Sequence, residues 1–350
     1  MTRLLTAAVA ALAFAVCAHA EDRHPRALDV SIAVFDAGIP EDPALYRDLE
    51  VFPRVRKIEA MFLPFVLRET LVESKEWGAV RVVPAPEPAA EVLVTGAIVH
   101  SDGETLRIRI RARDASGRTW FEQLFESAVT DDYATSGADA AGPAQQRLFD
   151  AVAAELVLAR NRLDGKALAG IAETSLLRYG YEIAPRAFGS YFDFADDGSF
   201  TLVRLPSLDD PMLERVELVR HTEYVITDAV DAKYRELGTE IAHVYDVWRE
   251  YRRKTLAYRA EDARHAEAVK SYGEPGSFEA LRNSYESYKY HRDTEQELDR
   301  LAIAFNNEVG PTVEAMETRI AEMRDWVDAK YAEWHRILEE YFELETGASG

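Results

Sequence analysis

The chain has 350 residues, with 41 Lys and Arg against 62 Asp and Glu, and 47% of its residues are hydrophobic. The acidic balance argues against a nucleic-acid partner, because phosphates demand a basic protein surface. The length is typical of two domains, and the apolar content is sufficient for sizeable cores.

Residues 1–20 have the pattern of a cleavable signal peptide. Arg3 supplies a short positive region, and an apolar stretch follows over 4–16. This stretch is too short for a bilayer core, which requires roughly 20 residues. Ala18 and Ala20 satisfy the small-x-small rule for cleavage. We therefore expect export to the bacterial periplasm, and no later segment is apolar enough to predict a membrane span.

Cys17 raises the alternative of a lipoprotein signal. A lipobox has a small residue directly before the cysteine, whereas Val16 stands there. We therefore expect a mature chain that begins at Glu21 and carries no lipid. Without Arg3 it has 40 basic against 62 acidic residues, a balance of −22. Because Cys17 is the only cysteine, disulfides and thiol chemistry are excluded for this mature form.

The first half of the mature chain has the pattern of an α+β domain over 21–188. Alternating β-branched residues and Asp-Gly or Ser-Gly turns predict strands, and apolar residues at helical spacing predict a long helix. The element order is β-α-β-β-β-β-α, followed by a further helix, which is typical of helices packed on one sheet face. The predicted strands cover 28–35, 80–83, 91–99, 105–113 and 118–127, and the helices cover 54–74, 143–163 and 166–188.

One predicted strand alternates apolar residues with four arginines, at 107, 109, 111 and 113. This alternation predicts one core face and one basic face. The basic face is typical of a solvated surface paired with acids; an anion-binding sheet face is the alternative.

Residues 28–128 resemble small envelope domains of the curli-secretion-lipoprotein, penicillin-binding-protein-activator and TolB N-terminal type. The resemblance is carried by a helix that ends in a short apolar-x-Ser segment, two strands and an Asp-Ala-x-Gly turn. The corresponding pieces here are Leu71 to Ser74, Val80 to Val83, Ala90 to Gly96 and Asp114 to Gly117. The resemblance implies a domain that binds other envelope proteins and has no catalytic residues.

The second half of the chain is predicted to be helical. A β-hairpin connector over 189–208 leads to Asp210-Pro211, which has both start signals of a helix. Residues 209–346 then show coiled-coil spacing on both sides of a Ser-Tyr-Gly-Glu-Pro-Gly turn at 271–276. We expect a long antiparallel helical hairpin, or a coiled-coil bundle if Gly310-Pro311 breaks the returning helix instead of kinking it.

The returning segment carries Phe278, Leu281, Tyr285 and Tyr288 at alternating spacings of three and four. This spacing predicts a seam that packs on the first helix. Ile241 belongs to the matching seam of the first helix, so a polar substitution there is expected to be costly.

Charge is polarised along the predicted hairpin. Between Arg249 and Arg292 there are ten Lys and Arg against seven Asp and Glu, whereas 293–345 has fifteen acids against five bases. We expect the basic, aromatic end to contact an anionic component such as a lipid, lipopolysaccharide or an acidic protein; a solvated helix face is the alternative. The candidate contact residues, with 252–254 expected to be exposed, are Arg249, Arg252, Arg253, Lys254, Arg259, Tyr272, Arg282, Lys289 and Arg292.

No motif singles out a catalytic, cofactor-binding or metal-binding residue. The pairs Glu240/His243 and Asp262/His265 have a di-metal spacing, but they lie on one helix about 33 Å apart. We therefore expect a non-catalytic binding or scaffold protein of the envelope, without a cofactor, that has an envelope protein as partner and is able to form homo-oligomers. The alternatives are an envelope-glycan enzyme using unidentified carboxylates and a periplasmic ligand-binding protein.

Overall fold

The computed structural model describes residues 27–127, 141–194, 200–204, 211–270, 277–308 and 310–346. The predicted signal peptide, Cys17 and Tyr272 lie outside these residues. The chain has an N-terminal mixed sheet with helices, followed by one long helix and two further helices. The predicted α+β class is confirmed at this level.

The elements follow the predicted order. The strands are β1 (Val30–Ala33), β2 (Val80–Val83), β3 (Val92–Ser101), β4 (Leu106–Asp114), β5 (Thr119–Ser127), β6 (Phe192–Phe194) and β7 (Phe200–Leu202). The helices are α1 (Leu45–Asp48), α2 (Pro53–Ser74), α3 (Ala141–Asn161), α4 (Gly165–Ile183), α5 (Pro185–Phe188), α6 (Pro211–Lys270), α7 (Phe278–Glu308) and α8 (Gly310–Thr346).

The main sheet has the strand order β2-β1-β3-β4-β5. Strand β1 is parallel to both of its neighbours, and β3, β4 and β5 form an antiparallel meander. Alternate residues such as Ile32, Val94 and Ile110 are buried in one core together with residues of α2 and α3. The period-two alternation therefore sets which sheet face the helices cover. Strands β6 and β7 form a separate antiparallel pair.

The opposite face of β4 carries the arginines. Arg107 lies 3.1 Å from Glu126, and Arg111 lies 2.6 Å from Glu122, across the β4–β5 pair. All four side chains are well exposed. The interpretation as a solvated face paired with acids is confirmed for these two arginines.

Helix α6 closes the open edge of the sheet at β2. The Asp231 carboxylate accepts a hydrogen bond from the backbone N–H of Val82 at 2.9 Å and lies 3.0 Å from the Arg68 guanidinium. An edge strand otherwise presents unpaired backbone groups, and here a helix side chain satisfies one of them. Ile241 of α6 and Val327 of α8 are buried in the same core as the sheet, so α6 and α8 share a core with the N-terminal region.

Helices α7 and α8 both contact α6. His291 of α7 lies 2.7 Å from Asp262, and Arg319 of α8 pairs with Glu240. From Glu240 to Asp262 along α6, the contacting residue therefore changes from Arg319 to the earlier His291. Helix α7 ends at Glu308 and α8 begins at Gly310, and the residue between them lies outside the described part. Of the helices described, none is long and apolar enough to cross a membrane.

Candidate functional site

The nine predicted contact residues are distributed over two helices. Arg249, Arg252, Arg253, Lys254 and Arg259 lie on α6, whereas Arg282, Lys289 and Arg292 lie on α7. Tyr272 belongs to the undescribed segment between the two helices. Of the remaining eight, Arg249 and Arg252 are buried, Arg253 is half-buried and the other five are exposed.

The prediction that Arg252 is exposed is wrong, since only 3% of it is accessible. Its Nε donates a hydrogen bond to the backbone carbonyl of Asp102 at 2.9 Å, and its guanidinium lies 4.6 Å from the centre of the Phe52 ring. Glu50 lies 3.5 Å away. These partners are 150 to 202 residues away in the chain. Arg252 is thus an anchor of α6 on the sheet region.

Gly103, in the β3–β4 turn, permits this approach. It has a positive φ of 98°, and a Cβ built on it would lie 2.5 Å from the Arg252 Cβ. The Asp-Gly turn that the sequence predicted therefore serves the helix contact as well as the hairpin.

Arg249 is also buried, and it donates a hydrogen bond to Gln145 Oε1 at 2.8 Å. It belongs to a polar network around Glu59 of α2, a fully buried carboxylate. The hydroxyls of Ser101 and Tyr245 both donate to Glu59 Oε1, the latter at 2.9 Å. Burial raises the pKa of Glu59, and the hydrogen bond from Ser101 opposes that rise. This network joins α2, β3, α3 and α6.

The other cations of α6 are partly or well exposed and have partners on the protein. Lys254 lies 2.8 Å from Glu250, and Arg259 lies 3.3 Å from Glu50. Arg253 is half-buried. Burial raises the pKa of Glu104, and the charge of Arg253 opposes that rise. On the α6 side of the predicted surface, Arg252, Lys254 and Arg259 therefore each lie near a carboxylate of the same chain.

Helix α7 carries the most exposed apolar surface of this region. Phe278, Leu281, Tyr285 and Tyr288 are 83%, 71%, 68% and 63% accessible. We call these four residues the α7 row. The prediction that they form a seam against α6 is wrong. Ser287 of α7 is buried instead, and His291, one turn further on, lies 2.7 Å from Asp262 of α6.

Three predicted contact residues accompany the α7 row. Arg282 and Lys289 are exposed along one edge of it, and Arg292 is exposed at its end. Glu286 lies 4.0 Å from Arg282, and Asp293 lies 3.8 Å from Arg292, which are long distances for ion pairs. Exposed pairs of this kind contribute little, so these cations remain able to bind another charge.

A carboxylate cluster lies between the sheet region and the helices, and sequence reasoning missed it. Glu87 follows β2, and Tyr331 of α8 donates to its Oε1 at 3.4 Å. Tyr179 of α4 donates to Glu223 of α6. Arg220 of α6 donates to Ser175 Oγ of α4 at 2.7 Å. The cluster therefore joins the loop after β2 to α4, α6 and α8.

The cluster alters the acidity of its central carboxyl. Burial, and next the charge of Glu223, raise the pKa of Glu87 to about 7, against which the Tyr331 hydrogen bond acts. Burial likewise raises the pKa of Glu182 and Glu91. In the sequence these are ordinary glutamates of an acidic chain, and no spacing connects them.

The carboxylates with di-metal spacing in the sequence contact other side chains in the structure. Glu240 pairs with Arg319, and Asp262 lies against His291. Within the described ranges no group of His, Cys, Asp or Glu side chains has the geometry to hold a metal ion.

No family model, curated protein or solved structure matches the chain. The resemblance of residues 28–128 to small envelope domains therefore stays a prediction from its motifs.

Proposed function

We propose that the protein is a periplasmic, non-catalytic binding or scaffold protein of the bacterial cell envelope. The sheet region docks on an envelope protein, and the helices present a second contact surface. The observation that carries this proposal is the α7 row, a line of four large apolar side chains left in solvent. Contiguous exposed apolar surface of this kind is typical of interaction sites.

A helical hairpin is the arrangement that we propose for 209–346. The ion pairs Asp262/His291 and Glu240/Arg319 support it, because they match a helix that returns along α6. The anchors Arg252, Tyr245 and Asp231 hold α6 on the sheet region, and His291 of α7 lies against Asp262 of α6.

The experiment that tests this proposal is affinity purification after cross-linking in the source cell. The wild type is compared with the double variant Leu281→Glu/Tyr288→Glu and with Leu218→Glu. Leu218 is a matched control, since it is 69% accessible on α6. We expect the wild type and the control to retain an envelope component that the double variant loses. If the wild type retains none, the proposal is wrong.

An envelope-glycan enzyme is the second candidate, and the carboxylate cluster favours it. A carboxyl with a raised pKa beside an ionised one is the arrangement of a general acid and its partner in glycosidases. Glu87 has the raised pKa, and the charge of Glu223 contributes to that rise. Hydrolysis of purified cell-wall glycan by the wild type, lost in Glu87→Gln, would support this function in place of the first.

A further inference from the structure

The α7 row has the spacing of a coiled-coil seam. Intervals of three, four and three keep its four members in line along about 15 Å of helix. The row is narrow, as in a seam for one partner helix; a helix that lies on a membrane has a wider apolar face. The row therefore fits a helix better than a lipid surface.

Helix α7 contacts α6 on a side that does not carry the row. Ser287 is buried, and His291 lies 2.7 Å from Asp262 of α6. With 3.6 residues per turn, Ser287 lies roughly opposite the middle of the row. An added helix could therefore pack on the row without displacing α6.

The charges beside the row define the partner further. Arg282 and Lys289 are seven residues apart, so they occupy equivalent edge positions of the seam, where charges select coiled-coil partners. A second copy of α7, laid antiparallel on the row, would place its own Arg282 and Lys289 along the same edge. Repulsion between these cations disfavours antiparallel self-association, and carboxylates at the facing positions of a partner helix favour binding.

We infer that the α7 row and its basic edge bind an acidic amphipathic helix of a partner protein. That helix packs an apolar seam on Phe278, Leu281, Tyr285 and Tyr288 and lays carboxylates beside Arg282 and Lys289. This inference rests on the proposed function and adds the chemistry of the partner to it.

The test uses the full chain and two labelled synthetic peptides of three heptads. Both have Leu at the seam positions, and the flanking positions are all Glu in one and all Lys in the other. The Glu peptide should bind roughly tenfold more tightly, measured by fluorescence anisotropy, and the difference should shrink as salt shortens the Debye length. Leu281→Glu/Tyr288→Glu should lose binding, and Leu218→Glu should keep it.

A charge reversal tests the basic edge itself. Arg282→Glu/Lys289→Glu should bind the Lys peptide in preference to the Glu peptide, and circular dichroism of the variant checks that it is folded. Equal binding of both peptides by the wild type would overturn the inference. So would wild-type binding to phosphatidylglycerol vesicles, or a wild-type dimer in sedimentation, that the Leu281→Glu/Tyr288→Glu variant loses.

The two proposals can fail separately. If cross-linking captures an envelope component but the peptides show no charge preference, the partner chemistry is wrong and the binding function stands. If the peptides behave as expected but no component is captured, the surface stands and the envelope function is wrong.

Discussion

Single buried polar residues connect the long helix to the sheet. Tyr245, Arg249 and Arg252 are all on α6, and each one contacts a residue from the first half of the chain. The sequence does not predict that these side chains are buried, because arginine and tyrosine are usually at least partly exposed. In α2, likewise, Arg56 and Glu59 are buried among the apolar residues of the helix.

Replacing Tyr245 with phenylalanine should destabilise the protein by about 1 to 3 kcal/mol, because a buried carboxylate loses a donor. The hydroxyl donates to Glu59 at 2.9 Å. Urea unfolding measures the change. Tyr285→Phe is the matched control, since Tyr285 is exposed, and its effect should be close to zero. An equal effect of the two substitutions would show that the Glu59 network does not stabilise the fold.

Glu87→Gln should make the free energy of unfolding less dependent on pH. The pKa of Glu87 is raised to about 7 from an ordinary value of 4.5. Between these values the folded protein binds the proton and the unfolded chain does not, so the contribution to stability is full below 4.5 and is lost as pH rises through 7. The rise of the pKa from 4.5 to about 7 corresponds to a change of about 3 kcal/mol in the free energy of unfolding.

The variant should therefore be more stable than the wild type at pH 8 and similar to it at pH 5, by urea unfolding at both values. The exposed Glu333→Gln is the control and should show no such difference. A wild-type advantage at pH 8 would contradict the account of the carboxylate cluster.

At the scale of elements, the packing of α6 on α2 depends on one glycine. A Cβ at Gly238 would lie 2.5 Å from the Phe65 ring, whereas a Cβ at Gly170, inside α4, would meet nothing within 4 Å. Alanine favours a helix over glycine by up to about 1 kcal/mol. The same substitution should therefore have opposite signs at the two positions.

Gly170→Ala should raise the free energy of unfolding by about 0.5 to 1 kcal/mol. Gly238→Ala should lower it by roughly 1 to 2 kcal/mol, since overpacking exceeds the helix gain. Thermal unfolding followed by circular dichroism measures both. Stabilisation by both substitutions would mean that α6 is not in close contact with α2.

Periodicity predicted the elements well and their partners poorly. The long helix was expected to start at Asp210-Pro211 and to precede the turn at 271–276, and α6 covers Pro211–Lys270, because its Asp-Pro start and its apolar spacing are local signals. The same spacing at Phe278 and Leu281 predicted burial against α6, yet both are exposed. A heptad pattern indicates that a helix has a seam, but it does not specify which surface covers that seam.

At the scale of the whole molecule, α6 contacts both the sheet region and the helices that follow it. Its Asp231 satisfies the edge of the sheet, and its Glu240 and Asp262 contact the helices that follow. Such contacts between residues distant in sequence have no local pattern, which is why the carboxylate cluster and the position of Arg252 could not be predicted. The three predicted contact residues beside the α7 row are exposed, as a local feature of charge and spacing indicated.

Site-specific photo-cross-linking in the source cell tests the central claim most directly, namely that the α7 row is a binding surface. A photoreactive residue is placed at Tyr285, and in a separate strain at the equally exposed Leu218. The account predicts a specific cross-linked product from position 285 that is absent from position 218 and is lost when Leu281→Glu/Tyr288→Glu is combined with a photoreactive Tyr285. Products of the same size and yield from both positions, or none from position 285, would contradict it.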